Sequence, residues 1–137
     1  MDAKRTKEYY SSKDCHEVCD CGYCRNYTGR IKKAYPELGA FLASMGVDIE
    51  KPFECFPLEP EKESITYLCV QYPVMGEKDG FETSHVSGAD IYVTECHPVT
   101  DIKDVHFVIE VSEIKLEWRG GYDGESIIPK KNGVGKS

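Results

Sequence analysis

The sequence lacks a long apolar run. None of its stretches approaches the roughly 20 apolar residues that a membrane-spanning helix needs. The residues that follow Met1 are charged, so the sequence predicts no signal peptide. These absences, together with an odd number of cysteines (seven), predict a cytosolic protein with reduced thiols and no disulfide framework.

Positive charge is also scarce. The chain has 17 Lys and Arg residues against 24 Asp and Glu residues, which gives a formal net charge of -7. Because such a surface repels a phosphate backbone, and because the basic residues form no stripe, we expect no nucleic-acid binding. An acidic surface suits a basic protein partner instead, as an immunity protein binds a toxin.

The motifs of common enzyme classes are missing as well. The sequence has no H-E-x-x-H, no G-x-S-x-G and no glycine-rich dinucleotide turn. Gly135-Lys136-Ser137 resembles the end of a P-loop, but the first glycine of that motif would fall at Lys130. The missing motifs therefore favour a binding module over an enzyme.

Cysteine, by contrast, is concentrated near the start of the chain. Four of the seven cysteines lie within ten residues, namely Cys15, Cys19, Cys21 and Cys24. Zn²⁺ is bound tetrahedrally by four thiolate or imidazole ligands, and the Cys-x-x-Cys spacing of Cys21 and Cys24 is half of such a site. The sequence therefore predicts a zinc site made by Cys19, Cys21 and Cys24, with Cys15 or a more distant residue as the fourth ligand.

Two other interpretations of these cysteines remain open. Cys21-Gly22-Tyr23-Cys24 at a helix start looks like the active-site turn of thioredoxin-like proteins, which would make the chain a thiol-disulfide oxidoreductase. Those proteins have a buried strand directly before the motif, whereas residues 7–20 are polar and show no apolar alternation. The third interpretation is that the thiols are simply reduced. The distant pair Cys96-His97 is interpreted as loop surface, because adjacent ligands rarely bind one ion well.

Helical spacing begins at the cysteines. Tyr23, Tyr27 and Ile31 recur at helical intervals, and Asp20 is predicted to cap this helix near Cys21. Cys21 and Cys24 then fall in the first turn, where the helix dipole favours thiolate. A second helix is predicted to open at Pro36 and to end at Gly46. Residues 1–20 have no sustained period and are predicted to be a polar lead-in, either mobile or briefly helical.

Strand patterns follow the helices. Residues 65–74 are apolar on both faces, which predicts a central strand, whereas Pro57 favours an edge position for 53–58. Apolar residues alternate through 105–111 and again through 114–118. The two alternations differ in phase by one residue, which predicts a bulge or bend at Ser112-Glu113.

These patterns predict an α+β fold. Two N-terminal helices at 21–46 are expected to pack on antiparallel strands at 53–119, in a β-sheet or a β-sandwich. Residues 21–119 are predicted to form a single globular domain after the lead-in at 1–20. Residues 120–137, which are rich in Gly and Lys, are predicted to form a flexible tail.

Residues 19–27 contain a Cys-x-Cys-x-Tyr-Cys-x-Asn motif, which does not include Cys15. Through this motif and through residues 35–38 and 46–54, the first third of the chain resembles a family of small uncharacterised proteins from Firmicutes and other bacteria. The resemblance is weaker in the strand that ends at Trp118. The resemblance implies a bacterial cytosolic origin and no assigned activity.

Overall fold

Three helices precede six strands in the computed structural model, which describes residues 1–118. The helices are α1 (Ala3–Ser11), α2 (Gly22–Ala34) and α3 (Pro36–Ser44). The strands are β1 (Glu54–Pro57), β2 (Ser64–Met75), β3 (Ser84–Val86), β4 (Ala89–Thr94), β5 (His106–Ser112) and β6 (Ile114–Glu117). The predicted α+β fold is confirmed, and the predicted tail at 120–137 lies outside the described residues. No helix within residues 1–118 has the length and apolar character needed to cross a membrane.

The strands form one antiparallel sheet around β2. The sheet order is β1-β2-β5-β4-β3, and β6 also pairs with β2. On one edge β2 pairs with β1, and on its other edge it pairs with β6 and then with β5. Glu113 separates β5 from β6, at the position where the change of phase predicts a break. The predicted central strand and the predicted edge position of the Pro57 strand are both confirmed.

Helix α1 lies inside the segment predicted as a lead-in. Asp2 caps it, because its Oδ1 accepts a hydrogen bond from the Arg5 backbone N–H at 3.0 Å. Thr6 and Tyr10, one turn apart, are its buried residues. The Tyr10 hydroxyl donates to the Pro73 carbonyl at 2.8 Å, and the Thr6 hydroxyl accepts from the Met75 N–H at 3.0 Å. Side-chain bonds to β2 therefore hold this helix on the sheet.

The two predicted helices are α2 and α3. In α2 the buried side chains include Cys24, Tyr27 and Ile31, which share one helical face. Pro36 occupies the first turn of α3, where its missing N–H costs nothing. α3 ends in a Schellman motif, because the Gly46 N–H donates to the Ala43 carbonyl and the Val47 N–H donates to the Leu42 carbonyl.

The core lies between these helices and one face of the sheet, and it contains three fully buried tyrosines. They are Tyr27, Tyr67 and Tyr72. The Tyr72 hydroxyl donates to the Ile49 carbonyl at 2.7 Å, so the Tyr27 hydroxyl is the donor in the 2.6 Å bond between the two tyrosines. A directed chain of hydrogen bonds thus runs from α2 through β2 to the loop after α3.

The direction of these two hydrogen bonds predicts unequal effects of two similar substitutions. Tyr72→Phe removes both bonds and leaves the Tyr27 hydroxyl buried without its acceptor, so we expect a loss of about 2–3 kcal/mol in the free energy of unfolding. Tyr27→Phe removes one bond while Tyr72 still donates to Ile49, so we expect a loss of about 1 kcal/mol. Urea unfolding of the two variants measures both losses, and equal losses would contradict the assigned direction.

Candidate metal centre

The thiol cluster is formed by the end of the α1–α2 loop and the start of α2. Cys19 and Cys21 are exposed and Cys24 is buried, and their sulfur atoms all lie within 4.8 Å of one another. This is the one group of three or more possible metal ligands found within residues 1–118. The structure therefore brings together three of the four cysteines predicted to bind zinc.

Cys15, the fourth predicted ligand, is not part of that group. Its side chain packs against the hydrophobic core, and its sulfur lies 3.8 Å from His16 Nδ1. Burial raises the pKa of the Cys15 thiol. Cys15 thus belongs to the surroundings of His16 in the first half of the loop.

His16 anchors that first half of the loop. Its Nε2 lies 2.8 Å from the Lys51 carbonyl oxygen, which can only accept, so this nitrogen carries the proton. Nδ1 then accepts a hydrogen bond from the Tyr9 hydroxyl at 2.8 Å. Burial lowers the pKa of His16, which favours this neutral form. Both ring nitrogens are thus occupied, so the ring is not free to act as a base toward Cys15.

A groove of about 970 Å³ runs beside this anchor and not beside the thiol cluster. It lies between α1 and the loop at 99–104, and Cys15 and His16 contribute to its wall. The raised pKa of Cys15 and the fully bonded ring of His16 are the opposite of an activated nucleophile and base. The groove therefore lacks the chemistry of a cysteine-histidine active site at these two residues.

The start of α2 differs from the predicted one. The prediction that Asp20 caps the helix is wrong, because the N-cap residue is Cys21, whose carbonyl accepts from the Arg25 N–H at 2.9 Å. Asp20 is exposed, and its carboxylate lies 3.8 Å from the Arg25 guanidinium. The helix begins one residue too late for an aspartate at position 20 to cap it. Cys21 has an extended backbone and makes no side-chain capping bond of standard geometry.

The thiols of the cluster differ in acidity. Burial opposes ionisation of Cys21, but the nearby backbone N–H of Cys24 and the thiols of Cys19 and Cys24 lower its pKa below the usual value. The Cys21 backbone lowers the pKa of Cys19, yet the thiols of Cys21 and Cys24 outweigh it and raise that pKa to about 11. Interaction with the Cys55 side chain, and then burial, raise the pKa of Cys24.

Cys55 is a neighbour of Cys24 that the sequence pattern did not single out. It lies in β1, is partly buried, and packs against the core beside Cys24. The sequence pattern marks residues 53–58 only as a strand interrupted by Pro57, and nothing in a short strand indicates which distant helix it will face. The nearest available signal is that position 55 carries a further cysteine.

Two buried polar side chains position the first turns of α2. The Tyr67 hydroxyl, on β2, donates to the Tyr23 carbonyl at 2.5 Å. Asn26 donates to the Glu117 carbonyl at 2.9 Å, so it joins α2 to β6. The Tyr23 ring stacks on Trp118, with ring centroids 5.4 Å apart. These contacts with the sheet therefore fix the position of Cys24. Tyr23 and Asn26, which make them, are the Tyr and Asn of the Cys-x-Cys-x-Tyr-Cys-x-Asn motif.

The distant pair Cys96-His97 does not join the cluster. The Cys96 side chain is exposed, and its carbonyl accepts a hydrogen bond from Gln71 Nε2 at 2.9 Å. His97 Nδ1 lies 2.8 Å from the carbonyl of the following residue. Both residues have the loop-surface positions that the sequence predicts.

No family model, curated protein or solved structure matches this chain. Its resemblance to uncharacterised Firmicutes proteins stays a prediction. Functional inference consequently depends on the chemistry of the thiol cluster itself.

Proposed function

We propose that the protein is a non-enzymatic binding module that holds a structural zinc ion through Cys19, Cys21 and Cys24. The observation that supports this proposal is the convergence of three sulfur atoms within 4.8 Å of one another. Zn–S bonds of about 2.3 Å in a tetrahedron place sulfur atoms about 3.8 Å apart, so the cluster needs to contract by only about 1 Å. Thiolates are also donors that zinc prefers over carboxylates in structural sites.

The local chemistry favours a metal at this point. The lowered pKa of Cys21 favours its thiolate, the form that binds zinc, and zinc displaces the protons that the cluster thiols still hold. The Cys24 and Tyr23 N–H groups near Cys21 offset part of the negative charge that gathers there. An ion would join the α1–α2 loop to the first turn of α2.

Metal analysis and a thiol count of the purified protein test the proposal together. We expect one zinc per chain, and we expect cluster thiols that react slowly with a thiol reagent until a chelator removes the ion. Cys21→Ser should lose zinc, whereas Cys96→Ser, which alters an exposed cysteine outside the cluster, should retain it. Substoichiometric zinc in a protein whose cluster thiols titrate freely would refute the proposal.

A second candidate function is thiol-disulfide exchange by Cys21 and Cys24. The observation that favours it is their contrast, since Cys21 is exposed with a lowered pKa and Cys24 is buried with a raised one. This function predicts a reversible Cys21–Cys24 disulfide and insulin reduction that Cys21→Ser abolishes. Insulin reduction by zinc-free protein, without any bound zinc in the purified sample, would favour exchange over metal binding.

A further inference from the structure

Cys55 approaches the cluster from the sheet side. It pairs with Val70 across the β1–β2 ladder, and Val70 is fully buried in the core. Because successive side chains alternate across a strand, Cys55 lies on the helix-facing side of β1, and its neighbour Phe56 lies on the other. Phe56 is accordingly 39% exposed, whereas Cys55 packs against the core.

The contact of Cys55 with the cluster runs through Cys24. Cys24 is the buried member of the cluster, and the Cys55 thiol is the largest cause of its raised pKa. Val70, the cross-strand partner of Cys55, lies between Tyr67 and Tyr72 on β2. The hydroxyls of these two tyrosines bond to the Tyr23 carbonyl and the Tyr27 hydroxyl, so the register places Cys55 beside the first turns of α2. The Cys55 sulfur lies outside the group whose sulfur atoms are all within 4.8 Å of one another, so its side chain would have to move toward Cys24 to share an ion with the cluster.

We infer that Cys55 is the fourth ligand, so that Cys19, Cys21, Cys24 and Cys55 form a tetrathiolate zinc site. This inference rests on the proposed function and adds β1 to it. Each thiol releases its proton to solvent as its Zn–S bond forms, so the filled site carries a charge of 2-. A site with four protein ligands has no open position for water or substrate, which makes the ion structural and not catalytic.

The fourth ligand changes what the ion does for the fold. Three ligands from residues 19–24 would order only the end of the α1–α2 loop. With Cys55, the ion joins that loop to β1, the edge strand of the sheet. Removing the metal therefore loosens β1 as well as the loop, while the β2–β5 pairing persists.

Cobalt(II) titration of matched variants tests this ligand. Cys55→Ser should lower the sulfur-to-cobalt charge-transfer absorption by about a quarter, since one of four thiolates is lost, and weaken zinc binding about a hundredfold. Cys69→Ser is the matched control, because Cys69 is also partly buried in a strand but interacts with Glu110. We expect the absorption and the zinc affinity of Cys69→Ser to equal those of the unaltered chain.

The outcomes separate this inference from the proposed function. If Cys55→Ser keeps full absorption and affinity while Cys21→Ser loses both, Cys55 is not a ligand and the three-cysteine proposal stands. If the unaltered chain binds neither cobalt nor zinc, both fail. If Cys55→Ser does not fold, X-ray absorption of the unaltered zinc-loaded protein counts the sulfur ligands of the ion instead. Four sulfur ligands that persist in Cys15→Ser support Cys55, whereas three sulfurs with one nitrogen or oxygen, or loss of one sulfur in Cys15→Ser, overturn it.

Discussion

Gly46→Ala is expected to lower the free energy of unfolding by more than about 3 kcal/mol. Gly46 ends α3 with a φ of +86°, a conformation that costs a residue with a Cβ about 1–2 kcal/mol. A Cβ at this position would also lie 2.3 Å from the Ala3 carbonyl oxygen and 2.6 Å from the Lys7 nitrogen. These are backbone atoms of α1, so no side-chain rotation can relieve the clash.

The second part of the cost comes from displacing α1. If the helix moves away from position 46, the bonds of Tyr10 to Pro73 and of Thr6 to Met75 lengthen or break. Tyr10 is only 3% exposed in the intact protein, so moving it also uncovers apolar surface.

Gly80→Ala provides a matched control for this prediction. Gly80 has the same φ of +86°, but nothing lies within 4 Å of the position of its Cβ. Its substitution should therefore cost only the backbone term of about 1–2 kcal/mol. Urea unfolding of both variants measures the difference, which isolates the contact between α1 and the end of α3. Losses of the same size would show that α1 is not held close to Gly46.

Zinc affinity is expected to rise at least about a hundredfold for each pH unit near neutrality, because each proton released contributes about tenfold. The pKa of Cys19 is raised to about 11 and that of Cys24 is also raised, so both thiols hold protons at neutral pH in the free protein. Zinc must displace at least these two protons. The sign follows directly, since lowering the pH adds the competitor and weakens binding.

Competition with a chromophoric chelator at pH 6.5, 7.0 and 7.5 measures this dependence, once the chelator's own protonation is subtracted. Circular dichroism of the zinc-free protein at each pH shows whether the fold itself changes. Binding by carboxylates, which are already ionised in this range, would give an affinity that hardly varies with pH. An increase clearly below about a hundredfold per unit would therefore contradict binding by both Cys19 and Cys24.

Local patterns in the sequence were sufficient for most of the fold. Pro36 and Gly46 mark the limits of α3, because the missing N–H of proline and the positive φ of glycine are properties of single residues. The alternation in 105–111 and 114–118 likewise predicts β5 and β6, with their break at Glu113. Helix α1 was less evident, since its N-cap Asp2 directly follows Met1 and its buried face consists of only Thr6 and Tyr10.

The candidate site was less accessible to this kind of reasoning. Cys15 is close to Cys19 in sequence, yet the hydrogen bonds of His16 hold its part of the loop against Tyr9 and Lys51. Cys55 is far from Cys24 in sequence, and the register of β1 on β2 brings it near. Strand register depends on the whole sheet. The spacing of cysteines in the sequence therefore cannot show that Cys15 lies away from the cluster or that Cys55 lies near Cys24.

The central position of β2 has a consequence for biosynthesis. One edge of this strand is occupied by β5 and β6, the last strands that the structure describes. Asn26 in α2 also needs the Glu117 carbonyl, 91 residues later. The nascent chain therefore cannot complete its helix-sheet contacts while Glu117 is still inside the ribosome. Until then, α2 can contact β2 but lacks the part of its contact surface that β6 supplies.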